Sequence, residues 1–174
     1  MKSAEINRYG GSEIVEINQN TPELTLSSGK VLVSIKAAGL NPADWKIREG
    51  YFQQMIPLQF PFTLGMDFSG IVKEIGEGVS DFKQGDEVYG QAGVVTGGSG
   101  AFAEMALAKT ESIANKPKRL SHVEAAAEGN QAAQTKPKGS GRPSNCFRST
   151  TVRSELITDE EELREIIAVT RSGP

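Results

Sequence analysis

Between Gly65 and Val79 the sequence GMDFSGIVKEIGEGV sets a turn, a strand and a second turn in immediate succession. From Phe68 to Ile75 apolar residues trade places with small or polar ones at period two. Glycines at 65, 76 and 78 supply the positive-φ positions that tight turns require. This predicts a half-buried strand between two turns. Phe82 to Gly90 repeats the unit, with a turn at Gly85 and Asp86 followed by an apolar Val88, Tyr89 pair. The first two-thirds of the chain is arranged around this meander.

Length and charge bound what the meander can belong to. A chain of 174 residues sets a one-domain expectation, and 37% hydrophobic content is low for a chain packed throughout, so part of it is expected outside the core. A net charge of −3 and a pI near 5.3 argue against nucleic acid as a partner. The first eight residues lack an apolar signal region, and no run approaches the roughly 18 apolar residues of a membrane helix. The expected location is therefore the cytoplasm, without a membrane partner. Cys146 is the single cysteine and His122 the single histidine, so neither an intramolecular disulfide nor a histidine and cysteine zinc set can be assembled.

In order, Lys2 to Ile6 and Glu13 to Ile17 are short strand candidates flanking a turn at Tyr9 to Gly11. Lys30 to Ala38 is a β-branched strand bounded by Gly29 and Gly39, with Val31, Val33 and Ile35 on one face. Gly39 to Gly50 then carries a full set of helix signals. Asn41 is a favoured N-cap, Pro42 fits the first helical position, Asp44 sits where the dipole favours a carboxylate, and Gly50 closes the end. A two-turn helix from Pro42 to Glu49 is expected. Tyr51 to Phe62 follows as an aromatic loop in which Pro57 and Pro61 disfavour helix.

Taken together, Val31 to Ala38, the Ala38 to Asp44 step, Gly65 to Val72, Gly76 to Val79, Phe82 to Val88 and Gly100 to Glu104 carry a resemblance. The chain resembles, over residues 1 to 127, the N-terminal GroES-like domain of the medium-chain dehydrogenase/reductase superfamily. The branch it looks like is that of the zinc-independent NADPH:quinone oxidoreductases. The resemblance implies a mostly β fold with short helices, a partly open barrel forming the substrate side of a hydride-transfer enzyme. It also implies NADPH as cofactor and a small carbonyl or quinone as substrate.

Zinc-containing relatives place a cysteine and a histidine where this chain has Asn41 and Met66, and neither replacement binds zinc as a thiolate or imidazole would. No metal site is expected, and Asp67 is left as a hydrogen-bond acceptor. The resemblance suggests that an asparagine at position 41 reaches the nicotinamide or the substrate oxygen; the plainer reading is the N-cap, and the two can coexist. Relatives often carry a tyrosine two positions after the helix-closing glycine, where this chain has Phe52, with Tyr51 one earlier. Asn41, Tyr51 and Phe52 are thus the expected catalytic residues, and Asn41 and Lys46 the expected cofactor contacts. Against those roles stand a loop aromatic for Tyr51 and a solvated lysine for Lys46. Trp45 reads as core.

Gly98 to Ala103 matches the loose dinucleotide pattern G-x-G-x-x-A, with Glu124 about twenty residues on. The context argues against a phosphate cradle: no buried strand precedes it, and the following residues read as strand. Ser121 to Glu124 is a capping box that opens a helix, with His122 expected at the surface.

Relatives continue from that helix into a nucleotide-binding domain. Here residues 128–153 are instead poor in apolar residues, rich in glycine and proline, and basic, the composition of a flexible linker. Residues 154–174 form a tail in which Thr158 to Val169 predicts a short amphipathic helix. No complete Rossmann domain is expected. Two functions follow: the substrate-side part of an NADPH-dependent quinone or enone reductase, inactive alone, or a non-catalytic binding or dimerisation module that forms a homodimer through exposed apolar surface.

Overall fold

The computed structural model describes residues 1–129 and the backbone of 150–153. The strands are β1 (Ser3–Ile6), β2 (Glu16–Asn18), β3 (Lys30–Leu40), β4 (Phe62–Thr63), β5 (Asp67–Ile75), β6 (Glu87–Gln91), β7 (Met105–Lys109), β8 (Ile113–Asn115) and β9 (Thr150–Arg153). Two helices, α1 (Pro42–Arg48) and α2 (His122–Ala127), interrupt them. One sheet has the order β2-β1-β4; the other runs β7-β3-β5-β6-β8, with β9 also on β3. Every strand pairing among the described residues is antiparallel, so they contain no parallel dinucleotide-binding layer. The two sheets stay separate and do not close on themselves, the partly open form expected.

The predicted strand at the centre of the meander is β5, between β3 and β6. Phe68 is fully buried, with Val72 beside it in a core that draws Ala4 and Ile6 from β1 and Val31, Val33 and Ile35 from β3. Removing a side chain such as Phe68 from water contributes about 2–3 kcal/mol. The face predicted for β3 is therefore correct, but Leu32 and Ala37 through Leu40 are buried too, so the strand is covered on both faces. The β3–β5 ladder slips twice, the first slip inserting an extra residue, Lys73, on β5 and the second an extra residue, Lys36, on β3.

The stretch Glu13 to Ile17 departs from expectation. Glu13 Oε1 accepts the Gly11 N–H at 3.2 Å, and a 3-10 turn covers Ser12–Ile14, so β2 begins only at Glu16. The local side-chain bond offers the backbone an alternative to the ladder, and Ile14 and Val15 are buried next to each other beyond it.

At Gly98 to Ala103 the amides are already engaged. Gly98 N donates to Gly93 O, Ser99 N to Leu107 O, Gly100 N to Ala92 O, Ala101 N to Gly65 O and Phe102 N to Leu64 O, all at 2.8–3.2 Å. A phosphate cradle needs converging free N–H groups; these tie the β5 entry to the start of β7. β9 lies at the end of the segment expected as a linker; residues 130–149 and the predicted tail helix lie outside the described residues.

Candidate functional site

The site starts from a capped helix end. Asn41 has extended backbone angles, and its Oδ1 accepts the Ala43 N–H at 2.9 Å while the Asp44 carboxylate returns to the Asn41 N–H at 2.8 Å. This occupies the Asn41 oxygen and points Nδ2 away from the helix. Nδ2 donates to Asp67 Oδ2 at 2.9 Å, and Asp67 Oδ1 in turn accepts from Gln91 Nε2 at 2.9 Å. An amide has two N–H bonds, and the cap and Asp67 engage the oxygen and one of them, so Asn41, half-buried, keeps one donor.

Sheet register builds this row. Asp67 faces Gly39 across β3 and Gln91 across β6. Gly39 has to be glycine: a Cβ there would lie 2.6 Å from the Ala126 carbonyl oxygen of α2 and 3.2 Å from Asp67 Cβ. The end of α2 therefore closes directly over fully buried Asp67.

Asp44 is also buried, and burial drives its pKa well above the usual carboxylate range, with the nearby Asp67 acting in the same direction. The backbone N–H groups of Asn41 and Met66 and the Arg48 guanidinium oppose the shift. With Met66, Leu64 and Ile47, Asp44 lines a cavity of about 10 Å³, room for one water. A wider groove of about 390 Å³ lies on the other sheet, among Glu5, Asn7, Glu16 and Asn18, and shares no lining residue with the Asn41 row.

Of the remaining expected site residues, Lys46 lies on α1 itself, and Tyr51 and Phe52 follow its end. Trp45 is half-buried, not core; Tyr51 meets its ring edge-on at 5.2 Å and Lys46 Nζ lies 5.6 Å from its centroid. Tyr51 itself is 66% exposed. Phe52 is half-buried and anchors a turn, its carbonyl accepting from Met55 N and Ile56 N at 2.9 and 2.7 Å. Helix α1 thus separates Asn41 at its start from Tyr51 and Phe52 after its end.

Two side chains escaped sequence reasoning. Arg48, 1% exposed, donates through Nε to Gly10 O at 3.2 Å and through Nη2 to Glu49 Oε1 at 3.2 Å, leaving Nη1 buried without a hydrogen bond. In sequence it reads as a basic residue favoured by the helix dipole. His122, expected at the surface, instead has Nδ1 2.8 Å from Ser69 Oγ and Nε2 3.2 Å from Glu87 Oε1; Lys116 lies 3.3 Å from the other Glu87 oxygen. The arrangement is not a nucleophilic triad. Ser69 is fully buried and its hydroxyl also contacts Val88 O at 3.0 Å, so no substrate reaches it. The available signal was β5 parity, which puts Asp67 and Ser69 on one face, under α2.

As a metal centre the row is poorly equipped. Both Asp67 oxygens accept amide N–H bonds, Asn41 and Met66 are weak ligands, and among the described residues no three histidine, cysteine or acidic groups converge.

The described residues thus form an open antiparallel fold with a capped amide beside a buried carboxylate. Residues 27–118 match the alcohol dehydrogenase GroES-like domain, and the chain belongs to that family, in the medium-chain dehydrogenase/reductase superfamily. It is similar to the quinone oxidoreductase of Sus scrofa, 36% identical over 129 residues, which are 74% of this chain and 37% of that protein. It is also similar to the chloroplast envelope quinone oxidoreductase homolog of Arabidopsis thaliana, at 35% identity over 73% of this chain and 38% of that one. Among solved structures, the quinone oxidoreductase from Coxiella burnetii superposes with a TM-score of 0.66 at 31% identity, covering 73% of this chain and 40% of that one. The Escherichia coli quinone oxidoreductase complexed with NADPH gives 0.63 at 30%, covering 73% and 36%. The chain spans less than two-fifths of the length of these curated relatives.

Proposed function

We propose that this chain supplies the substrate-side wall of a zinc-independent, NADPH-dependent reductase acting on quinones or enones. The observation that carries the reading is the doubly anchored Asn41 amide: Ala43 holds its oxygen, Asp67 its nitrogen, and one N–H remains to meet a carbonyl oxygen. NADPH, when bound, supplies the hydride; the chain's own residues orient and shield. Gln91 and Asp67 fix the amide before any ligand arrives, which lowers the cost of ordering it on binding. Tyr51 and Phe52 bound the substrate from the loop after α1, with the Tyr51 phenol as a proton source, and Lys46 serves a cofactor phosphate. The donor set at Asn41, Met66 and Asp67 supports chemistry without zinc. Every strand pairing among the described residues is antiparallel, with no parallel layer to grip a pyrophosphate, so hydride transfer is expected only with a nucleotide-binding domain supplied. A cytoplasmic setting suits a chain with one cysteine.

The test is a chimera joining this chain to the nucleotide-binding part of the Escherichia coli relative, assayed by NADPH oxidation with a quinone. Turnover is expected, and Asn41→Ala should lower kcat/KM about tenfold, one hydrogen bond's worth. A folded chimera without turnover sinks the reading. It would leave the non-catalytic module, which the exposed Tyr51 and Met55 side chains favour.

A further inference from the structure

One edge of β3 changes partner halfway along its length. Its β5 side is paired from Val31 to Gly39. On the opposite side β7 covers Lys30 to Ser34, and the last bond there runs from Ile35 N to Glu104 O at 2.9 Å. Before Glu104 the chain leaves for the other sheet: Ala103 bridges to Ser3, and Phe102 O accepts from Ala4 N. From Ala37 to Leu40 this edge receives no strand from residues 1–129. These four residues are uncharged and buried, with Ala126 of α2 against Gly39. A core strand with unpaired N–H and C=O groups and no charge or proline to blunt them is a template for strand addition.

β9 fills it. Thr150, Thr151, Val152 and Arg153 lie antiparallel opposite Leu40, Gly39, Ala38 and Ala37. We propose that Ala37–Leu40 is a strand-acceptor site, specific for a short extended segment recognised through its main chain, and that residues 150–153 of the same molecule are its resident occupant. Geometry favours the same molecule over a second copy. Residues 130–149 start from Gly129, where a Cβ would lie 2.8 Å from Asp67 Cβ, and Asp67 is the register partner of Gly39. Gly129 and Thr150 therefore lie at the same place in the fold, so pairing within one molecule has no long gap to span. Leu40 directly precedes Asn41, so the occupied edge adjoins the candidate site.

Two measurements on the full chain decide this. In hydrogen–deuterium exchange, replacing Thr151 and Val152 together with proline removes the ladder donors whichever of the two faces β3. Exchange should rise about tenfold or more at the amides of Ala37–Leu40 that face away from β5 and stay unchanged across Lys30–Ser34, read in the same spectrum as the folding control. Unchanged exchange at Ala37–Leu40 overturns the proposal. Independently, A38C with V152C in a C146S background places two thiols at registered positions within reach of a disulfide. Oxidation should yield a cross-linked monomer by mass. Absence of the cross-link, or cross-linked dimers alone, defeats the assignment, the latter in favour of tail exchange between copies.

Discussion

Asn41 and Asp67 are joined by a 2.9 Å hydrogen bond across the β3–β5 boundary, and Gln91 takes the second Asp67 oxygen from the opposite side. The carboxylate is fully buried and serves as the shared acceptor of two amides. Replacing Asp67 with alanine leaves two half-buried amides without their shared acceptor. We expect a loss of about 2–3 kcal/mol, seen as a lower urea midpoint at unchanged m-value. Asp67→Ala within 0.5 kcal/mol of wild type would mean that the row contributes nothing to the fold.

Asp44 titrates in the opposite sense to an ordinary salt-bridged acid. Burial raises its folded-state pKa above the unfolded value, so its contribution to stability is fully present below the unfolded pKa and is lost as pH rises through the folded one. Asp44→Asn keeps an oxygen to accept the Asn41 N–H but carries no titratable proton. Between pH 4 and pH 8 the variant should lose less stability than wild type, with thermal melts across that range as the check. Parallel curves would show that Asp44 stays charged.

Gly65 and Gly85 have nearly equal φ, +96° and +91°, but different surroundings. A Cβ on Gly65 would lie 2.7 Å from the Phe102 backbone nitrogen, whereas one on Gly85 meets nothing within 4 Å. Gly85→Ala should cost about 1–2 kcal/mol, the price of the backbone angle alone. Gly65→Ala should exceed about 3 kcal/mol, because the clash lies in backbone that cannot rotate away. Equal costs by denaturant titration would refute this account.

Acid should loosen α2. Burial lowers the His122 pKa, Lys116 and Lys36 act with it, and Glu87 acts against it. A depressed pKa contributes stability that is present above the unfolded value and lost as pH falls through the folded value. Amides of Ser121 to Ala127 should therefore lose protection between pH 7 and pH 5 before β3 and β5 do. His122→Asn should flatten the effect. Uniform loss across the chain would locate the titration elsewhere.

How far the sequence is readable depends on the reach of each interaction. α1 was legible because its determinants, Asn41, Pro42 and Asp44, lie within four positions and act through local bonds that the structure contains. The β5 meander was legible for the same reason, its turns and alternation being nearest-neighbour properties. His122 was misread because its partners, Ser69 and Glu87, come from strands far away in the chain. Gly98 to Ala103 could be judged only by context, since bonds to Leu64, Gly65 and Ala92 settle what its amides do. Asn41 was read as both cap and ligand contact. The cap is present, and the unforeseen bond to Asp67 determines which atom of the amide is left over.

Arg48 has a consequence for how α1 is held. Its backbone oxygen accepts from Gly10 N at 3.1 Å while its side chain returns to Gly10 O at 3.2 Å, a two-point clasp between the last turn of α1 and the N-terminal hairpin. A rod clasped this way cannot spin about its axis without dragging Tyr9, whose hydroxyl holds Leu58 N at 3.0 Å. Both ends of this seven-residue helix are thus fixed, one by the clasp on Gly10 and the other by the asparagine cap.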